Sequence, residues 1–168
     1  MNHSGNIAVI IPAAGFSSRF GGSMPKQFSM LGDETVLEKS VNLFLGISSI
    51  REVVIAVNDS VSLIGSDYFS QNPRIKIVEG GNTRSESVFN ALAEVDQSIE
   101  IVAIHDAARP WLKKTHFEDL LSYLANDKSI EGVFPVISAT DSLRMKQGED
   151  IIPIDRENFL HVQTPQIF

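Results

Sequence analysis

Two cations, Arg19 and Lys26, stand seven residues apart just beyond an apolar run, IAVII (7–11), and a small-residue loop that starts at Pro12. Fixed positive charge in such a place stabilises the negative charge that grows on phosphoryl oxygens and on a leaving group when phosphorus is attacked. Ala13, Ala14 and Gly15 put almost no side chain between a ligand and the loop's backbone N–H groups, and Gly21 and Gly22 make the next segment pliable. Pro25 stiffens the approach to Lys26. Neither GxGxxG nor GxxxxGK[ST] occurs here, so the segment is neither a dinucleotide fingerprint nor a P-loop. A phosphate cradle and a plain surface turn are both open readings of the loop, and solvated surface positions are the ordinary fate of the two cations.

Three further segments carry candidate chemistry. In EGGNTRSES (79–87), Gly81 would let backbone groups meet a base edge while the Ser87 hydroxyl bonds a nucleotide; the plainer reading is a glycine turn into a helix capped by Thr83. In HDAARP (105–110), Asp106 would stand at a strand end, where a carboxylate can hold a ribose hydroxyl or Mg²⁺. Its alternative is an N-cap or a salt bridge with Arg109. His105 forms an HD pair with Asp106, but His3, His116 and His161 are scattered, so no histidine is assigned to a metal. No GxSxG nucleophile elbow is present. In the last stretch, DRENFLHVQTPQIF, Arg156 and Thr164 read as an anion clamp or as an ordinary tail; the planar guanidinium fork suits a phosphate.

Elements must position these groups, and composition bounds what kind. A chain of 168 residues with 43% hydrophobic content suits a single domain, 1–168, with a full-sized core. Its 14 Lys and Arg against 21 Asp and Glu give a net charge of −7, which argues against a nucleic-acid surface or an anionic membrane surface. With no Cys there is no disulfide framework, thiolate zinc site or Cys nucleophile, and a reducing compartment is compatible. No signal-like N-terminus and no apolar stretch near the ~18–20 residues that span a bilayer is present, so a cytoplasmic protein without membrane partners is expected.

Short, mostly β-branched runs recur at IAVII (7–11), VVIAV (53–57), IKIV (75–78), IVAI (101–104) and GVFPV (132–136), each reading as a strand covered on both faces. Helical faces lie between them: Val36, Leu37, Ser40, Val41, Phe44 and Leu45; then Val88, Phe89, Leu92 and Val95, opened by Thr83 and Glu86; then Phe117, Leu120, Leu121 and Leu124, opened by Thr115 and Glu118. The alternation predicts an α/β fold with a doubly wound, mainly parallel sheet and a ligand crevice beyond the carboxyl ends of its strands. The loops after strands one, three and four should therefore converge. After Val136, two extended segments around a QGED turn predict a hairpin arm at about 137–157, of a kind that often contacts another subunit.

Taken together, PAAGFSSRF…PKQF, GGNTRSESV, HDAARP and DR…QTPQIF resemble, in order and spacing, the 2-C-methyl-D-erythritol 4-phosphate cytidylyltransferases of the non-mevalonate isoprenoid pathway, from about residue 7 to residue 168. The resemblance implies a three-layer fold like that of nucleotide-diphospho-sugar transferases. It also implies transfer of a cytidylyl group from CTP to a sugar-alcohol phosphate, with release of pyrophosphate and Mg²⁺ assisting. By motif, Arg19 and Lys26 would stabilise the transition state; Ala13, Ala14, Gly15, Gly81, Asn82 and Ser87 would hold cytidine and phosphates; and Asp106 would lie at the ribose and metal. Arg109, Thr140, Asp141, Ser142, Arg156 and Thr164 would shape the sugar-phosphate site. The arm would interlock with that of a second subunit in a homodimer, so that Arg156 serves the partner's site. The related ribitol-5-phosphate cytidylyltransferases are the alternative. Ser17 stands where the family often has Gly. Family members also run on past the QTPQ segment, so the expectation is that the C-terminal part of the family domain is absent here and that the chain is a catalytically incomplete nucleotide-binding module if that part is indispensable.

Overall fold

The computed structural model describes residues 6–15, 25–58 and 66–168. Arg19 and its neighbours Ser17, Gly21 and Gly22 lie outside them. A five-stranded sheet is built from β1 (Ile7–Pro12), β4 (Ile50–Val57), β5 (Ile75–Glu79), β6 (Ile101–Ile104) and β11 (Gln166–Ile167), in the order β11-β6-β1-β4-β5. The first four run parallel and β11 closes one edge antiparallel to β6. From β1 the chain steps outward through β4 to β5, then crosses back to lay β6 on the other side of β1. That reversal puts the switch point of a doubly wound sheet between β1 and β6, where ligands of such folds bind.

Both faces of the sheet are covered, which is why its strands read as continuous apolar runs. On one face Ile7, Val9 and Ile11 pack against Leu37, Val41 and Phe44 of α1 (Val36–Leu45) and Phe117 of α4 (Lys114–Asn126), with Phe69 of the short α2 (Ser66–Ser70). On the other, Ile10, Val54 and Ala56 meet Ala91 of α3 (Arg84–Ala93), with Val88 and Val95 beside it. Alternation along β1 sends side chains to the two layers in turn. α1 opens with a full capping box: the Thr35 hydroxyl accepts from Glu38 N at 3.1 Å and the Glu38 carboxylate accepts from Thr35 N at 2.6 Å. A small antiparallel ladder, β2 (Met30–Leu31) with β3 (Glu34–Thr35), leads into it. Among the described residues no helix is long and apolar enough to cross a membrane.

Three local expectations are corrected. GVFPV is not a sheet strand: Val133 alone bridges Ile167, through bonds of 2.8 and 2.9 Å, and Pro135, lacking an N–H, cannot continue the ladder. Val136 instead begins β7 (Val136–Ser138), which pairs antiparallel with β10 (Leu160–Val162) outside the main sheet. Thr115 does not cap α4, since the helix starts at Lys114, one residue before it, and Glu118 pairs with Lys114 at 3.7 Å. On α3, Phe89 (72% exposed) and Leu92 face outward. The small Ser87 and Ala91 take the buried positions and let the helix sit close to the sheet.

The arm is a two-stranded ribbon, β8 (Leu143–Gln147) against β9 (Asp150–Ile154), in register from Leu143↔Ile154 to Gln147↔Asp150. Its two-residue turn places Gly148 at φ +64°, a backbone region that glycine enters without strain.

Candidate active site

The loops after β1, β5 and β6 meet above the switch point. After β1, the Ala13 N–H donates to Ala56 O at 2.7 Å. Two polar side chains that sequence reasoning missed hold the loop's carbonyls: Gln27 Nε2 donates to Ala13 O at 2.6 Å and to Gly15 O at 3.1 Å, and Asn58 Nδ2 donates to Ala14 O at 3.0 Å. Gln27 is buried in a short 3₁₀ turn, Lys26–Phe28, so the turn that presents Lys26 also braces the small-residue loop. Only its place between Lys26 and Phe28 signalled this role, and a loop glutamine has no periodicity to expose it.

After β5, Gly80 packs directly on that loop. A Cβ at Gly80 would fall 2.3 Å from Ala14 Cβ, and one at Gly81 would fall 2.2 Å from Glu86 Cβ, so both positions demand glycine for space. Thr83 caps α3 by accepting from Glu86 N at 3.1 Å, as its spacing predicts. The Glu86 carboxylate turns instead to Asn82 N at 2.7 Å. Buried Ser87 accepts from Gly81 N at 3.0 Å and donates to Thr83 O at 2.9 Å, so its hydroxyl ties the turn together.

After β6, Asp106 is gripped from two sides. Arg84 Nε donates to Oδ1 at 3.0 Å and Arg109 Nε donates to Oδ2 at 3.1 Å. Burial alone would raise the Asp106 carboxyl, but the hydrogen bonds and charges of Arg84 and then Arg109 outweigh it and hold the group below the ordinary carboxylate range. The Asp106–Arg109 salt bridge, given above as the plainer alternative for this aspartate, is present, whereas Arg84, read only as part of a helix start, is an unexpected partner. Arg109 also bonds the Gln163 side chain, and the Ser40 hydroxyl of α1 donates to Ala107 O at 2.9 Å. His105 is fully buried, with Nε2 at 3.0 Å from Arg109 O and Nδ1 at 3.2 Å from Thr164 Oγ1. Burial pushes its pKa down to about 4, so the ring is neutral.

Lys26, Arg109 and Thr164 line a single cleft of about 1000 Å³, with Trp111, Pro135 and Ile137 among its apolar walls. Its lining thus combines the cations Lys26 and Arg109 with apolar surface. Thr140 and Arg156 are joined to each other, Arg156 Nη1 donating to Thr140 O at 2.6 Å, and neither of them, nor Asp141 or Ser142, lines this cleft. The described residues hold no cluster of three or more His, Asp or Glu side chains able to bind a metal by themselves.

A doubly wound sheet with glycine-lined loops and paired cations at its switch point defines an α/β nucleotidyltransferase-like protein. A profile of the IspD family, 2-C-methyl-D-erythritol 4-phosphate cytidylyltransferase, matches residues 7–168, and the chain belongs to that family. The enzyme of that name from Actinobacillus pleuropneumoniae is 36% identical over 163 residues, covering 96% of this chain and 70% of the relative. The one from Haemophilus ducreyi is 38% identical over 169 residues, covering 96% and 70%. Among solved structures, the Francisella tularensis enzyme superposes with a TM-score of 0.77 at 28% identity, over 96% of this chain and 71% of that one. The Anaerococcus prevotii structure, at 24% identity, supports the fold with a TM-score of 0.79 over 98% of this chain and 71% of its own.

Proposed function

We propose that this crevice carries out the family's reaction in a single displacement. A phosphate oxygen of 2-C-methyl-D-erythritol 4-phosphate attacks the α-phosphorus of CTP. A new phosphorus–oxygen bond forms, the bond to the bridging oxygen of the β-phosphate breaks, and pyrophosphate leaves with the electron pair. The product is 4-diphosphocytidyl-2-C-methyl-D-erythritol. The observation that carries the reading is the cleft itself, which brings Lys26, Arg109 and Thr164 together beside Asp106 at the switch point.

In this reading Ala13, Ala14, Gly15, Gly81 and Asn82 receive the cytidine and phosphates, with Ser87 bracing Gly81 beneath them. Asp106 meets the ribose. Lys26, joined by Arg19, neutralises charge growing on the transferred phosphoryl group, and Arg109 and Thr164 bound the polyol phosphate. No covalent intermediate is needed, because positioning and charge neutralisation supply the catalysis. Mg²⁺ is the expected cofactor. An ionised carboxylate has about four acceptor sites. Asp106 gives one to each arginine and is about a third exposed, so it can serve as a single protein ligand of the kind Mg²⁺ takes with substrate phosphates. When bound, the ion would shield the triphosphate's negative charge.

We further propose a cytoplasmic homodimer joined through the arm. Ile137, Ile151, Leu160 and Val162 are exposed on the two ribbons, which suits contact with a second copy, and Thr140, Asp141, Ser142 and Arg156 would then complete the partner's site. The test is pyrophosphate release with CTP and Mg²⁺, measured side by side with methylerythritol phosphate and ribitol 5-phosphate. Release with the first substrate at well above the rate of the second is expected. A preference for ribitol phosphate, or no release with either, would overturn the reading.

A further inference from the structure

Among the described residues, His105 is the one buried titratable group at the crevice that the displacement does not use. It follows β6 directly, and its ring stacks edge-on against Phe44 of α1, with centroids 5.2 Å apart and planes at 70°. That packing fixes which nitrogen faces which neighbour. Nε2 lies 3.0 Å from Arg109 O, and a carbonyl only accepts, so Nε2 must carry the proton of that bond. A neutral imidazole has one N–H, which leaves Nδ1 bare. The Thr164 hydroxyl, 3.2 Å away, must therefore donate to Nδ1. With its proton so directed, the Thr164 oxygen accepts from the Asp106 N–H, also at 3.2 Å. The chain of bonds closes through the turn, where Arg109 N donates to Asp106 O at 3.1 Å, and returns through the Arg109 guanidinium to the Asp106 carboxylate.

We propose that His105 is a positioning residue for cytidylyl transfer: held as the Nε2–H tautomer, it orients the Thr164 hydroxyl and anchors the Arg109 carbonyl, and through them aims Asp106 and Arg109 into the crevice. A consequence separates this from a residue that merely fills the core. The Thr164 proton is committed to His105, so Thr164 donates no hydrogen bond to an anionic substrate; it acts by holding the Asp106 backbone. The inference rests on the reading that Arg109 bounds the polyol phosphate, and the experiment below lets the two fail separately.

Side-chain ¹⁵N spectra of the wild-type chain at neutral pH should show His105 with a protonated Nε2 and a bare Nδ1. A protonated Nδ1, alone or in an imidazolium, overturns the proposal, and this measurement needs neither a variant nor turnover. Steady-state kinetics with CTP and methylerythritol phosphate then compare His105→Phe, His105→Gln and Arg109→Ala with wild type. His105→Phe, which keeps volume and loses both bonds, should raise KM for the polyol phosphate about tenfold with a smaller change in kcat. His105→Gln, whose amide N–H can reach the Arg109 carbonyl, should recover part of it. A fall in kcat alone, in step with loss of folded protein and with KM unchanged, would mark a structural role and overturn the proposal. If Arg109→Ala leaves KM for the polyol phosphate unchanged, the site reading fails instead, while the ¹⁵N result still decides the tautomer.

Discussion

The head of β6 and the projecting arm carry candidate residues of the same site, yet they are built in opposite ways. Around Asp106, segments distant in sequence are cross-braced: Arg84 from α3, Thr164 from beside β11 and Ser40 from α1 converge on one short loop, which the buried His105 ties from within. At the base of the arm, Arg156 is bonded to Thr140, while Ile151 on the arm and Leu160 on the neighbouring β7–β10 pair are exposed. A braced loop holds its charges in place before substrate arrives, which is what electrostatic catalysis requires. A thin two-stranded ribbon is marginal alone and needs another surface to pack on. The surroundings of Asp106 are thus braced within one chain, whereas the proposed homodimer would give the arm the second surface it lacks.

The largest effect should come from the lysine in the cleft wall. Lys26→Ala is expected to lower kcat/KM by about 10²–10³, the usual cost of removing one donor aimed at a developing charge. The melting shift produced by CTP should survive, because Gln27 and Asn58 still hold the loop's carbonyls. A variant that keeps wild-type turnover would remove the cleft from the mechanism.

The next effect tests the bracing itself. His105 is neutral in the folded chain, with its pKa lowered from 6.5 to about 4, so the unfolded chain binds the additional proton between those values. Stability contributed by the buried neutral ring is therefore full above pH 6.5 and is lost as pH falls from 6.5 towards about 4. At about 1.4 kcal/mol per tenfold change in proton activity, the window is worth about 3 kcal/mol. Urea unfolding at a series of pH values should show this slope in wild type and a flatter one in His105→Gln. Asp106, held below the ordinary carboxylate range by Arg84 and Arg109, adds its own loss of stability only at the acid end of the window, below about pH 5.

A smaller loss is expected at the contact between the two nucleotide loops. Gly80→Ala would bring its Cβ within 2.3 Å of Ala14 Cβ, and relieving such overpacking costs about 1–3 kcal/mol. Because the loops must separate to accept it, CTP affinity measured by calorimetry should fall at least tenfold. Unchanged affinity would show that the contact has no part in the cradle.

What could be read in advance follows the same division. Burial on two faces writes itself into strands such as IAVII and IVAI, and the spacing of Leu37, Val41 and Phe44 announces α1, so the sheet, its crossovers and the convergence of three loops were legible. Thr83 was legible as a cap because capping is local. Arg84 with Asp106 was not, since 22 residues separate them and only the crossover of β6 past β1 brings them together. Gln27 was hidden because a glutamine in a short turn has no periodicity to mark it as buried. The arm misled in the other direction: GVFPV has the composition of a buried strand, but Pro135 interrupts its ladder and Val136 serves the exposed ribbon. Apolar residues awaiting a partner look, in sequence, like apolar residues of a core.

The arm supplies the prediction with the smallest effect on the fold. Ile151 is 71% exposed on β9, so Ile151→Glu removes little buried surface from the single chain and should change its stability by no more than about 0.5 kcal/mol. If the ribbon packs on a second copy, the same substitution buries an unpaired carboxylate at that contact, and the association should fail. Sedimentation velocity should then show wild type as a dimer and Ile151→Glu as a folded monomer. Turnover of the variant should fall with Arg156 removed from the partner's site, and adding more variant protein should not restore it. A wild-type chain that sediments as a monomer and still releases pyrophosphate would erase the contrast between a braced crevice and an unfinished arm. Arg156 would then act within its own chain, after a movement of the ribbon towards Lys26 and Arg109.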